Sequence, residues 1–169
     1  MKTLILLRHG KSDWDAPYAR DHDRPLARRG RRDARRMGKF LSAAGMVPDS
    51  VITSSALRAH STVELAARAG EWNCPVRVSS ALYGASPATV LSEISQESDS
   101  REIVLVAGHQ PTWSETCSLL IGGGEVRYPT AALACIALHT AGWSRISPGQ
   151  GQLLWFLPPR LLRSAGFEH

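Results

Sequence analysis

Cysteine is scarce in this sequence. Cys74, Cys117 and Cys135 are odd in number, far apart and outside any Cys-x-x-Cys or Cys/His spacing, which argues against a disulfide framework or a zinc site. They read as reduced, packed thiols. Long apolar runs are missing too. Met1 to Leu7 comes nearest to a signal-peptide core, but Arg8 and His9 cut it short, and no stretch is long enough to span a membrane. No membrane partner is expected, and a cytoplasmic address follows by default. There is no internal repeat, low-complexity tract or Pro/Gly/Ser linker, so residues 1–169 are expected to form a single domain. With 43% hydrophobic and 21% charged residues, the chain can bury a core without disulfides or metals. A nucleotide-binding P-loop is also lacking: Gly10-Lys11-Ser12 follows a strand-like run, but Ile5 stands where that motif needs its first glycine.

Charge is plentiful and one-sided. The net charge of +5 comes largely from Arg20 to Lys39, which holds Arg24, Arg28, Arg29, Arg31, Arg32, Arg35 and Arg36. Such a patch attracts anions. Only Phe40 lies near it, and no reader motif accompanies it, so nucleic acid is not an expected partner. A solvated arginine-rich helix face is the expectation.

Short apolar runs alternate with longer helical ones. Lys2 to Leu7 is continuously apolar, as in a central strand buried on both faces. Ala34, Met37, Leu41 and Ala44 recur at helical spacing over Arg31 to Ala44, and Gly45 follows as a stop. Ser50 to Thr53 reads as a strand. Ala56 to Ala69 reads as a helix with Val63, Leu65, Ala66 and Ala69 facing inward. Val76 to Val78 is a further strand, and Ser86-Pro87 starts a helix running to about Glu97. Glu102 to Ala107 is a second β-branched run, ending in Gly108-His109-Gln110-Pro111 with a helix after it. Ala132 to His139 and Gln152 to Leu157 are the last strands. This alternation predicts a largely parallel sheet covered on both faces, whose ligands bind beyond the carboxyl ends of the strands. Arg8-His9-Gly10 and Gly108-His109 both stand at such ends.

Those residue types suit phosphoryl transfer, which needs an in-line nucleophile, fixed positive charge on the phosphoryl oxygens and a stabilised leaving group. His9 can attack as a neutral imidazole, with Gly10 leaving room for backbone to approach an anion. Arg8 offers a permanently charged fork. Arg58 sits just inside a helix N-terminus, itself favourable to anions, and His109 adds a second imidazole donor.

Leu-Leu-Arg-His-Gly, Ser-Ser-x-x-Arg-Ala and Ala-Gly-His-Gln-Pro occur in that order, and together they resemble the histidine phosphatase superfamily, also called phosphoglycerate-mutase-like. Arg8-His9-Gly10-Lys11-Ser12-Asp13-Trp14 and Asp23-Arg24-Pro25-Leu26-Ala27-Arg28-Arg29-Gly30 are similar to the opening motifs of its short SixA-type branch. The resemblance covers nearly the whole chain. It implies a three-layer α/β/α sandwich with a mainly parallel central sheet, and the short chain leaves little material between the motifs for a large lid insertion. It also implies that His9 becomes phosphorylated, that Arg8, Arg58 and His109 clamp the phosphoryl group, and that water hydrolyses the phosphoenzyme without a metal or other cofactor.

Acid-bearing members of the superfamily carry a glutamate two residues after a leucine in the middle region. Here the segment is Ala81-Leu82-Tyr83-Gly84, with glycine in the acid's place. An alkoxide leaving group needs general-acid help; an imidazole needs less. The expected partner is therefore a phosphorylated protein, through phosphohistidine. A small phosphoester, or a non-catalytic phospho-binding role, is the alternative. Asp13, Asp15, Asp21 and Asp23 could supply an acid, though capping and arginine pairing account for each. His22, His60, His139 and His169 read as surface or structural histidines. Trp113, Trp143 and Trp155 read as core or groove walls, Thr130 as a pocket border and Gly122-Gly123-Gly124 as a turn. Nothing in the pattern specifies an oligomeric state.

Overall fold

The computed structural model describes residues 1–167. Six strands and five helices follow one another as β1 (Lys2–Arg8), α1 (Arg28–Ala43), β2 (Ser50–Ser54), α2 (Leu57–Ala69), β3 (Val76–Ser79), α3 (Pro87–Ile94), β4 (Ile103–Gly108), α4 (Thr112–Ile121), β5 (Leu133–Leu138), β6 (Gly151–Leu157) and α5 (Pro159–Ser164). They form one sheet in the order β3-β2-β4-β1-β5-β6. The first four strands of that order run parallel, while β5 is antiparallel to both β1 and β6. The fold is a three-layer α/β/α sandwich of the phosphoglycerate-mutase type with a mainly parallel sheet.

The strand period of two divides the apolar run of β1 between two cores. Leu4 and Leu6 join Ile52, Val104, Val106, Trp113 and Leu120 beneath α3 and α4. Ile5 and Leu7 join Met37, Leu41, Val63 and Leu105 beneath α1 and α2. All four β1 residues are fully buried, each contributing roughly 1.5–3 kcal/mol by transfer from water. This two-sided burial explains the unbroken hydrophobicity of the segment.

Helix boundaries and faces depart from the sequence reading in places. α1 begins at Arg28 rather than Arg31, and α3 ends at Ile94 rather than near Glu97. The inward face of α2 is Arg58, Ala59, Thr62, Val63 and Ala66. Leu65 and Ala69 are only partly buried, because α2 turns its polar Thr62 toward the loop after β1. There the Thr62 hydroxyl donates to the Arg58 carbonyl (2.6 Å) and accepts from the Gly10 amide (2.9 Å). α5, which the sequence reading omitted, starts at Pro159 and buries Leu162 on the α1 side.

The arginine-rich segment is not uniformly solvated. Arg28, Arg29, Arg31, Arg32 and Lys39 are exposed, but Arg24 and Arg36 are buried. Arg36 pairs with buried Asp33 at 2.8 Å, and Arg24 turns into the site described next. Local carboxylates allow both burials, since a buried guanidinium persists only when paired.

Candidate active site

Parallel pairing of β1 with β4, in the register Arg8 opposite Gly108, brings the two histidine motifs to the same sheet edge. The His9 amide continues the ladder to the Gly108 carbonyl (3.0 Å), and the rings of His9 and His109 lie 5.2 Å apart. Close packing fixes the turn: a Cβ at Gly10 would stand 2.7 Å from the Gly30 carbonyl oxygen at the start of α1, so only glycine fits.

His9 Nδ1 lies 2.7 Å from the Gly10 carbonyl oxygen. A carbonyl can only accept, so Nδ1 carries the proton and neutral His9 holds its lone pair on Nε2. Burial lowers the His9 pKa to about 3, opposed by that Gly10 hydrogen bond and reinforced by His109, Arg58 and Arg8. Burial likewise takes His109 to about 4, with Arg58 adding to the effect and Asp21 opposing it. His109 Nε2 is 2.8 Å from the Ser54 hydroxyl at the end of β2.

Three arginines converge on these imidazoles. Arg8, the last residue of β1, donates from Nη1 to the Tyr128 carbonyl (2.7 Å). Arg58, in the first turn of α2, donates from Nη1 to the Asp21 carbonyl (2.8 Å) and from Nη2 to Asp21 Oδ2 (3.1 Å). Arg24 donates to the Ser12 hydroxyl (2.8 Å) and Asp21 Oδ1 (2.9 Å), and its guanidinium lies 3.4 Å over the Trp14 ring. Arg8, Arg24 and Arg58 each keep a buried Nε, and His109 a buried Nδ1, with no hydrogen-bond partner among the described residues. Buried donors are nearly always paired. The residues that carry these exceptions all line one cavity of about 200 Å³, together with His9, Lys11, Gln110 and Thr130. Its excess of donors suits a polyoxyanion such as a phosphoryl group. Among the described residues no group of three or more His, Cys, Asp or Glu could hold a metal ion; the positive charge lining the cavity comes from the three guanidiniums and the Lys11 ammonium.

Arg8, His9, Gly10, Arg58 and His109 thus stand together as the sequence placed them, with Thr130 on the border. Of the four aspartates, Asp21 alone reaches the arginines. Asp13 accepts from the Asp15 amide within its own loop (3.0 Å), and Asp23 pairs with Arg20 (3.1 Å). Against a burial penalty, the Tyr83 hydroxyl and the Arg58 and Arg24 guanidiniums hold the Asp21 carboxyl below the usual carboxylate range. At neutral pH it is a counter-ion without a proton to give. Gly84 has φ +68° and open space where a Cβ would stand. Beside it the Tyr83 hydroxyl donates to Asp21 Oδ2 (2.9 Å), and its ring lies 5.8 Å from His109.

His22 is closer to the site than its sequence context implied: its Nε2 is 2.9 Å from the Ser55 hydroxyl and its ring stands edge-on to Tyr83. His60 lies on α2, 3.6 Å from Glu64, and His139 is exposed; His169 lies outside the described residues. Trp113 and Trp143 are core, and Trp155 packs on Phe40. Trp14, which sequence reasoning treated only as part of a motif, lines the cavity instead.

The lowered histidine pKa values bear on stability. Between about pH 3 and 6.5 the unfolded chain binds a proton at His9 that the folded chain does not, so stability rises with pH across that window and falls on acidification. From pH 8 to pH 5, His9 alone is expected to cost about 2 kcal/mol. Chemical unfolding at both pH values checks this: His9→Asn should flatten the acid slope, and an unchanged slope would show that His9 titrates normally.

The model of the histidine phosphatase superfamily (branch 1) matches residues 4–84. An uncharacterized protein of Mycobacterium tuberculosis is 38% identical over 165 residues, covering 91% of this chain and all of the relative. A structure assigned to phosphohistidine phosphatase SixA of Nakamurella multipartitia superposes with a TM-score of 0.81 at 26% identity, over 94% of this chain and 96% of that one. A structure of the protein histidine phosphatase SixA complexed with tungstate gives 0.81 at 25% identity, over 95% and 99%. The chain belongs to the histidine phosphatase superfamily, in its SixA-type branch.

Proposed function

We propose that this histidine phosphatase, residues 1–169 acting as one domain, removes phosphoryl groups from phosphohistidine in a protein substrate through a phosphorylated His9, without a metal. The observation that carries the reading is the His9 tautomer. Nδ1 donates to the Gly10 carbonyl and burial keeps the ring neutral, so Nε2 is an unprotonated nucleophile in a cavity that three guanidiniums also line. The SixA relative was solved complexed with tungstate, a tetrahedral oxyanion, which supports oxyanion binding by this chain.

His9 Nε2 attacks phosphorus while the bond from phosphorus to the substrate imidazole breaks. A substrate imidazole protonated on its other nitrogen departs neutral, and His9 becomes a phosphoimidazolium whose positive ring is stabilised by the Nδ1–H···O=C bond to Gly10. Water then attacks phosphorus and the His9 N–P bond breaks. Dihydrogen phosphate leaves carrying both protons of the water. Arg8, Arg58 and His109 stabilise the equatorial oxygens in both steps. Donor and acceptor are both imidazoles, so neither step calls for a carboxylic acid. This agrees with Gly84 and with a deprotonated Asp21.

The test is phosphate release, in chelator, from a histidine-phosphorylated protein and from an ordinary phosphomonoester. Without a general acid the ester should be slower by about 10²–10⁴ in kcat/KM. A preference for the ester would make the protein a small-molecule phosphatase, and loss of activity in chelator would overturn metal independence.

A further inference from the structure

A second cavity, about 260 Å³, adjoins the first and shares Thr130 with it. Four arginines line it: Arg29 from the first turn of α1, Arg127 from the loop before β5, and Arg160 and Arg163 from α5. Among the described residues its only acid is Asp33, which is 2% exposed and already bonded to Arg36 (2.8 Å) and Arg163 (2.7 Å). Among the described residues, the guanidiniums of Arg29, Arg127 and Arg160 have no acidic partner and no hydrogen bond. Phe156, Pro129, Pro158 and Pro159 form the remaining wall.

Unpaired surface arginines normally spread apart or find carboxylates, because clustering them raises their mutual repulsion. Here three are gathered on a concave, partly apolar surface that continues into the phosphoryl pocket. We propose that this groove binds an acidic stretch of polypeptide flanking the phosphorylated histidine of the substrate, its carboxylates pairing with Arg29, Arg127 and Arg160 while backbone and apolar side chains lie on Phe156 and the prolines. This assignment of substrate class rests on the phosphohistidine reading above. A polypeptide fits better than a nucleic acid because the wall offers one aromatic ring and three prolines, where single strands need successive stacking platforms. Guanidiniums also match carboxylates bidentately.

Fluorescence anisotropy with labelled, unphosphorylated peptides tests the groove apart from catalysis. One peptide carries Asp and Glu around a histidine, the other Asn and Gln. The acidic peptide is expected to bind the wild type at least about tenfold more tightly. That advantage should vanish in Arg127→Ala/Arg160→Ala and survive in His9→Ala and in Arg31→Ala/Arg32→Ala, whose arginines lie on the exposed face of α1 outside the groove. Equal affinity for the two peptides, an advantage that persists in the groove variant, or tighter binding of an oligonucleotide than of the acidic peptide would overturn the proposal. With the same peptides phosphorylated on histidine, acidic flanks should lower KM and leave kcat unchanged. Groove-dependent binding without any hydrolysis would uphold the groove and sink the phosphohistidine reading instead.

Discussion

Replacing His9 with alanine is expected to leave less than roughly one part in 10⁴ of the wild-type kcat, because it removes the atom that forms the bond to phosphorus. The arginines and His109 would remain, so substrate should still bind and KM should change far less than kcat. A companion measurement separates this from general damage. Wild-type protein quenched during turnover of substrate labelled in the phosphoryl group should carry acid-labile, base-stable label, and His9→Ala should carry none. Activity within tenfold of wild type, or label elsewhere than His9, would remove His9 from the chemistry.

Arg58→Ala carries the second large effect. Arg58 is buried, its Nε has no partner among the described residues, and both terminal nitrogens are tied to Asp21. Asp21 thus holds the guanidinium in place at the start of α2. Removing one such oriented donor should lower kcat by about 10²–10³. Arg58→Lys should recover only part of this, since an ammonium cannot reproduce the planar fork that engages Asp21 and an oxyanion together. Steady-state kinetics on a phosphohistidine protein would show it. Full recovery by lysine would mean that charge alone matters and that the geometry with Asp21 does not.

The core of the site was legible because its residues sit at strand ends and a helix start, where sequence pattern is strongest. His9, His109 and Arg58 could be placed from the apolar runs before them and the helical periodicity after Ser54-Ser55. Asp21, His22 and Arg24 could not. They belong to the irregular segment between β1 and α1, which has no period to read; the hydrogen bond from Tyr83 to Asp21 spans 62 residues, His22 stacks edge-on to the same ring, and Arg24 is drawn in through Asp21 and Ser12. Burial of Arg24 and Arg36 escaped for a related reason: an arginine-rich segment looks solvated unless its carboxylate partners are known. The antiparallel end of the sheet had one local sign. The β5–β6 connection contains only a short 3-10 turn, too little for the helical crossover that parallel strands require.

The strand order has a consequence for the nascent chain. β1 and β2 are made first, yet they never touch, because β4 lies between them. A polypeptide released only as far as residue 102 would therefore carry two unpaired apolar strand edges facing a slot, with His9 on one side and Arg58 on the other. Such edges invite pairing with foreign strands. Synthesis of Ile103–Gly108 fills the slot and leads into His109, so the strand that joins β1 to β2 is also the one that brings the two halves of the phosphoryl pocket together, before β5 and β6 extend the sheet beyond β1.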